Sequence, residues 1–456
     1  MQRHLLTIFL AATAASAVTT PFSFPSLPDL VASPKTPSTP FPLSAARHPS
    51  KICVVDPEAT DAGPALISAA RECNNGGTVV LLPDTTYTIA SPTDLTFLQS
   101  VDVLILGTVV FSDDVEYWQT RAFGYPYQDA HLFWKFGGRD VNIYGLGIGT
   151  LDGLGQTWWT AKRSNETLYR PILFGTDGLF GGSVSGLNMK NSPFWFNVIM
   201  NSSDILITDI NIWIEVTNSS SPPANTDGWD TYRSTNIVIQ NSTIDNYDDC
   251  VSFKPNSTNI IVQNLQCNGS HGISVGSLGQ YQGEYDIVED VYVYNISMSN
   301  ASDGARIKIW PGVPPNTTGS NSGGGAGYVR NVTYDLFYNT NTDWAIELTQ
   351  CYFASSQEAC NEYPAVLLVE DILFKNFYGI TSARHDPRVG TLVCSDPSGG
   401  GNGRYLITEK GANSDTQVCK NIRAENIAVA PPSAVTAEWI CTNMDEGLLD
   451  VNCIAA

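Results

Sequence analysis

Asn236-Ile237-Val238-Ile239-Gln240-Asn241 recurs 23 residues later as Asn259-Ile260-Ile261-Val262-Gln263-Asn264. Apolar residues alternate between polar ends, the period-2 pattern of a half-buried strand, and Ile and Val are strand formers. Residues 204–209, 290–295, 371–376 and 421–426 repeat the pattern, with a looser copy from Asn331. A coil of 22–23 residues has room for three short strands and three turns, and gaps of 31 to 50 residues read as the same coil with loop insertions. Coils stacked about 4.8 Å apart make a parallel β-helix, in which each coil buries its apolar face against its neighbours. The recurring Asn suits the turns, where its side chain bonds backbone groups and builds ladders between coils. A β-sandwich would lack the longer period, and propeller blades repeat at about 40 residues or more. No long amphipathic helix stands out among the 456 residues, which include 38 Gly and 26 Pro. The fold class is therefore all-β, a single-domain solenoid over residues 50–456.

The same period organises the polar residues. Asp227, Asp249 and His271 stand at equal intervals of 22 residues, with Asp248 beside Asp249. One coil apart means one above another, so these residues form a column on an outer face. After an insertion come Arg306-Ile307-Lys308, whose two cations point to one side of their strand. Carboxylates so close repel, and at least one should hold a proton more tightly than a free Asp does. A protonated carboxyl beside an ionised one is what glycoside hydrolysis needs, an acid for the leaving oxygen and a base for water. An isolated Asp pair is usually a solvated turn, a lone His a structural residue, and Arg-x-Lys a wet strand face. The shared register of all four elements outweighs those readings. Asn225 and Asp230 fit turn and ladder positions better than catalytic ones. The Gly-rich stretch from Gly319 to Gly327 precedes no helix pattern and reads as a loop, not a phosphate cradle.

At the N-terminus, a short positive start, an apolar run from Leu5 to Ala15 and Ala15-Ser16-Ala17 describe a secretory signal over residues 1–17. A Pro/Ser/Thr-rich leader or propeptide follows over residues 18–49. No stretch reaches the roughly 20 apolar residues of a membrane helix. In an oxidising compartment the ten cysteines suggest disulfides, Cys351 with Cys360 and Cys441 with Cys453 being the simplest pairs, although spacing alone leaves connectivity open. Neither a C-x-x-C pair nor clustered His points to zinc. Ten Asn-x-Ser/Thr sequons (at Asn165, Asn201, Asn218, Asn241, Asn256, Asn268, Asn295, Asn300, Asn316 and Asn331) fit a secreted, N-glycosylated monomer. A net charge of −21 excludes a nucleic-acid partner held through phosphates.

Asn225-Thr226-Asp227, Asp248-Asp249, His271-Gly272 and Arg306-Ile307-Lys308, in that order, resemble the four signature segments of the polygalacturonases, glycoside hydrolase family 28. The stretches NTDGWDTYRS, YDDCVSFKPNST, CNGSHGISVGSLGQY and NASDGARIKIWPG look most like the fungal exopolygalacturonases. The resemblance, which runs from about Cys53 to the C-terminus, implies a right-handed parallel β-helix and inverting hydrolysis of polygalacturonate in pectin, with no metal or other cofactor. It implies Asp248 as general acid, Asp227 and Asp249 as the pair activating water, and His271 as the residue tuning the acid. Arg306 and Lys308 match the binders of the substrate carboxylate, Asn225 and Tyr352 are further substrate contacts, and Cys250 with Cys267 matches a disulfide beside the catalytic turn. Tyr247 and Ser270 depart from the commoner residues before the Asp pair and the His, and they bear on fine specificity. Long insertions at Trp310–Tyr328 and Cys351–Cys360 could wall off one end of the cleft, as exo action with release of galacturonic acid requires. Xylogalacturonan hydrolase and endopolygalacturonase are the near alternatives, and pectate lyase or a non-catalytic pectin-binding solenoid the distant ones.

Overall fold

Asn and Asp side chains mark the corners of most coils, and the backbone explains why. Asn236, Asn241, Asn259, Asn264, Asn295, Asn331, Asn376, Asn421 and Asn426 all adopt φ between 50° and 59°, the left-handed region that Asn tolerates better than most residues. The side chains then bond up the stack. Asn264 Nδ2 donates to Asn241 Oδ1 at 3.1 Å, and Asn295 Nδ2 donates to Asn264 Oδ1 at 2.8 Å. Further along, Asn426 Nδ2 donates to Asn376 Oδ1 at 2.8 Å. Between corners the apolar residues stack in register: Ile237 on Ile260, then Val291, Val332, Ile372 and Ile422. All six are buried, and they form one face of the core.

The computed structural model describes residues 36–37, 39–395 and 419–455. Twenty-six strands pair in parallel, each coil with the next, as a β-helix. The helix Ala62–Cys73 packs against the first coils, burying Leu66, Ala69, Ala70 and Cys73 and capped by Asp61, whose carboxylate accepts from Gly63 N. The sequence reading missed it. Its apolar spacing of three and four residues is there, but small Ala residues carry it where a Leu-rich stripe would have stood out. Among the described residues no helix is long and apolar enough to cross a membrane.

The signal at 1–17 lies outside the described residues. The leader at 18–49 is described in its last part, and there it lies along the solenoid. Arg47 Nε donates to Asp102 Oδ1 at 3.0 Å and its Nη1 to Asp140 Oδ2 at 2.8 Å. Five disulfides close local loops: Cys53–Cys73, Cys250–Cys267, Cys351–Cys360, Cys394–Cys419 and Cys441–Cys453. They include both pairs suggested by spacing and the pair implied by resemblance.

Candidate active site

The 22-residue period survives in the backbone. Trp229 pairs with Val251 and Val251 with Ile273, one coil per step, and Ile273 pairs with Ala305 after the insertion. These side chains point into the core, so the alternate residues face outward. One outward column holds Asp230, Ser252, Ser274, Arg306 and Glu347. The next holds Lys254, Gly276 and Lys308. A Cβ on Gly276, where φ is 104°, would sit 2.5 Å from the Lys308 carbonyl oxygen, so only glycine fits between the two lysines.

The turns leading into these strands carry Asp227, the Asp248-Asp249 pair and His271. Gly228 N donates to Asp249 O and His271 N to Asp248 O, at 2.8 and 2.9 Å. Asn246 Nδ2 ties Thr226 O to Asp249 O, both at 2.9 Å. The Cys250–Cys267 disulfide follows directly. Asp227, Asp248 and Asp249 thereby converge, with one oxygen of each within 4.8 Å of the others. Three carboxylates at that spacing could hold a cation, but two of them already have a lysine. Lys308 Nζ stands 2.5 Å from Asp249 Oδ2, and Lys254 Nζ stands 3.3 Å from Asp227 Oδ2. Ser274 Oγ donates to the other oxygen of Asp249 at 2.7 Å.

Asp248 has different company. Its Oδ1 accepts from Asp249 N at 2.8 Å and lies 3.3 Å from His271 Nδ1, while its Oδ2 accepts from Asn225 N at 3.1 Å. Burial pushes its proton affinity up, but the His271 hydrogen bond and charge, the Lys308 charge and the Asp249 amide outweigh burial and hold it below the usual carboxylate range. His271 is raised in return, because the Asp248 contact exceeds the penalty of burial. Asp227 is pushed up to about 7, first by burial and then by the Asp248 charge, with Lys254 opposing. Asp227 therefore gives up its proton only near pH 7, and His271 holds its own more tightly than a free imidazole does, within reach of Asp248.

Arg306 Nε contacts Glu347 at 2.5 Å and its Nη1 contacts Asp303 at 3.4 Å, so the cation expected to grip substrate also holds two protein carboxylates. The Tyr352 ring centroid lies 5.7 Å from both Arg306 Cζ and Lys308 Nζ. All the sequence-derived site residues thus gather in one place. Two buried cations and one carboxylate were overlooked. Asp230, expected at a turn or in a ladder, is a fully buried groove carboxylate 3.6 Å from Lys254. Lys254 was legible, because the alternation that turns Arg306 and Lys308 outward also turns Ser252 and Lys254 outward. Arg170 had no local signal. It comes from two coils earlier and donates to Pro193 O, Ala224 O and Asn225 Oδ1 at 3.1, 2.6 and 2.9 Å. Burial pulls its pKa down to about 10.

The groove is blocked one coil before Asp230. Val198 and Met200 occupy the outward positions paired with Asp230 and Tyr232. A hairpin, Phe123–Gly124 against His131–Leu132 and extended by Pro171–Ile172, lies over them. Ala130, Leu132, Ile172, Trp195, Val198 and Met200 form a second apolar cluster there, apart from the main core. From the hairpin, Tyr127 stacks on Tyr232 at 4.4 Å, and Gln128 donates through its amide to Tyr281 Oη and through its side chain to Gln280 Oε1, at 3.1 and 3.0 Å. The glycine-rich insertion continues this wall. Gly323 N donates to Gln280 O at 2.8 Å, and Gly312 N to Tyr363 O at 2.8 Å beyond the Cys351–Cys360 loop. The glycine-rich insertion meets this side through Gln280, and Trp310 at its start packs on Tyr352 and Phe353 of the Cys351–Cys360 loop, but the cover one coil before Asp230 is the hairpin.

The family described as glycosyl hydrolases family 28 matches residues 80–447. The "Exopolygalacturonase A" of Aspergillus niger is 52% identical over 431 residues, covering 94% of this chain and 95% of its own. The "Exopolygalacturonase X-2" of Emericella nidulans is 46% identical and covers 99% and 98%. Among solved structures, the endo-xylogalacturonan hydrolase of Aspergillus tubingensis superposes with a TM-score of 0.75 at 30% identity, over 89% of this chain and 99% of that one. The polygalacturonase of Erwinia carotovora shares the fold, with a TM-score of 0.63 at 19% identity over 92% and 100%.

Proposed function

The chain belongs to the glycosyl hydrolases of family 28, and from that premise we propose that it is a secreted exopolygalacturonase. It hydrolyses the terminal α-1,4 bond at the non-reducing end of polygalacturonate and releases galacturonic acid. The carrying observation is the hairpin cluster over Val198 and Met200, which ends the groove one coil, or about 4.8 Å, before the carboxylates. A sugar ring is about that size, so room beyond the cleaved bond suits one unit. A chain threading through would need an open groove there, which disfavours endo action.

Asp248 donates the proton to the leaving oxygen, with His271 holding that proton against it. Asp227 and Asp249 orient the attacking water and take its proton. Asn225 fixes Asp248 through its amide and is itself fixed by Arg170. Arg306, Lys308 and the Tyr352 ring receive the substrate's carboxylate. The three carboxylates lie closer than the roughly 6.5–9.5 Å usual for an inverting pair. Inversion therefore rests on the family and not on this spacing, and it remains the proposal. Secretion fits the N-terminal signal, and the loop sequons at Asn165, Asn218 and Asn316, all exposed, suit N-glycans on a monomer.

Polygalacturonate digestion tests the reading. Galacturonic acid from the outset, with slow viscosity loss and the β-anomer seen first by proton NMR, is the expected result. Early mixed oligomers with a rapid viscosity fall would defeat exo action, and a first-formed α-anomer would defeat inversion. Preferential release of xylose-substituted units would favour the xylogalacturonan alternative.

A further inference from the structure

Lys254 is the most deeply buried cation of the site and has no part in the mechanism above. Its ammonium donates to Asp227 Oδ2 at 3.3 Å and to Gly276 O at 3.4 Å, and Asp230 Oδ1 lies 3.6 Å away. The Trp195 ring centroid lies 5.1 Å from it, and the residue is 4% exposed. So deeply buried among protein oxygens, the ammonium is screened from a substrate carboxylate. Asp230, 0% exposed, makes no hydrogen bond through either oxygen and answers Lys254 by charge alone. Lys254 therefore acts inward, on Asp227.

We infer that Lys254 is a positioning residue for Asp227, holding that carboxylate aimed and favouring its ionised form for the attacking water, as Lys308 does for Asp249. The inference rests on the reading of Asp227 as a water-activating base. The two lysines share one column with Gly276 between them, so each base has its own cation, one delivered from each side of the glycine. Without Lys254, Asp227 would be buried beside Asp230, Asp248 and Asp249 with only the charges of Lys308 and Arg170 to oppose them, and it would hold its proton more tightly. The charged and titratable groups facing Lys254 are Asp227, Asp230, Asp249, the Tyr127 hydroxyl from the hairpin and Lys308. Tyr127 Oη is buried without a hydrogen-bond partner, so it offers Asp227 no substitute donor.

The test compares Lys254→Met, Lys254→Arg and the double variant D230N/K254M with the wild type, with Asp227→Asn alongside. Lys254→Met should lower kcat by about 10- to 100-fold, a part of what a full acid–base group contributes. KM should stay within about twofold, and the kcat–pH profile should move to higher pH, because Asp227 then loses its proton only at higher pH. Lys254→Arg should keep the profile while recovering part of kcat. D230N/K254M removes a cation and an anion together, so it carries the test if the single variant does not fold, and it should show the same displaced profile. A double variant with wild-type kcat and profile would overturn the inference. So would a loss confined to KM, which would make Lys254 a substrate contact. An Asp227→Asn enzyme keeping a tenth or more of its activity would instead overturn the reading of Asp227 itself.

Discussion

Replacing Asp248 by Asn removes the ionisable proton while keeping the shape. Asp248 accepts two backbone amides, from Asp249 at 2.8 Å and from Asn225 at 3.1 Å, on different oxygens. An asparagine can offer its one oxygen to only one of them, and its NH₂ then meets the other donor head-on, at a cost of about 1–3 kcal/mol. Against this, one anion leaves the neighbourhood of Asp227. At a separation near 4–5 Å and an effective dielectric of about 20, that repulsion is worth roughly 3–4 kcal/mol. The substitution also takes their partner from His271 and Lys308, whose charges hold Asp248 ionised, so the melting temperature should fall modestly while the fold is kept. Activity should not be spared. A lost general acid costs about 10²- to 10⁴-fold, or about 3–5 kcal/mol of barrier. The assay is reducing-sugar release from polygalacturonate beside hydrolysis of a nitrophenyl galacturonide, whose leaving group departs without a proton. The variant should be crippled on the first and much less so on the second. Equal loss on both, or a tenth of wild-type activity on polygalacturonate, would refute Asp248 as the acid.

Two further outcomes are expected. His271 guards the acid's proton, and against the penalty of burial the Asp248 contact raises its pKa, so kcat should fall once pH climbs past the point where His271 loses its own proton; a profile still rising above pH about 8 would contradict this. Lys308→Ala removes a charge-assisted contact worth about 1.5–3 kcal/mol, so kcat/KM should drop by about 10-fold or more, with kcat sharing the loss because Asp249 loses its partner. An unchanged kcat/KM would place Lys308 outside the working site.

Where local chemistry repeats along the chain, the sequence was readable. The corner Asn residues are visible because one residue type meets two needs at once, a left-handed backbone and an amide to pass up the stack. The 22-residue interval from Asp227 to Asp249 to His271 carried over to three dimensions because no insertion separates those coils. Legibility stops where contacts cross coils. Arg170 reaches Asn225 across 55 residues, and Gln128 meets Gln280 across 152, so no window on the chain contains either contact. The hairpin that closes the groove is short, two residues per strand, with too little alternation to announce itself. Lys254 is an intermediate case, because its phase was readable from Arg306 and Lys308 but its partner was not.

A chain of net charge −21 that degrades a polyanion must solve an electrostatic problem, and with 24 Lys and Arg it cannot do so by a basic surface. The site solves it locally. Arg170, Lys254, His271, Arg306 and Lys308 converge on Asp227, Asp230, Asp248, Asp249, Asp303 and Glu347. Burial raises the proton affinity of Asp227, Asp230 and Asp303, and five cations face the set, so the pocket does not share the repulsive sign of the exterior. A long galacturonate chain laid across such a surface would set many carboxylates against an acidic exterior. A chain end entering a blind pocket presents one carboxylate to Arg306 and Lys308 and leaves the rest in solvent, where salt screens them within about 8–10 Å. The charge distribution and the closed groove therefore favour the same mode of attack, from the end.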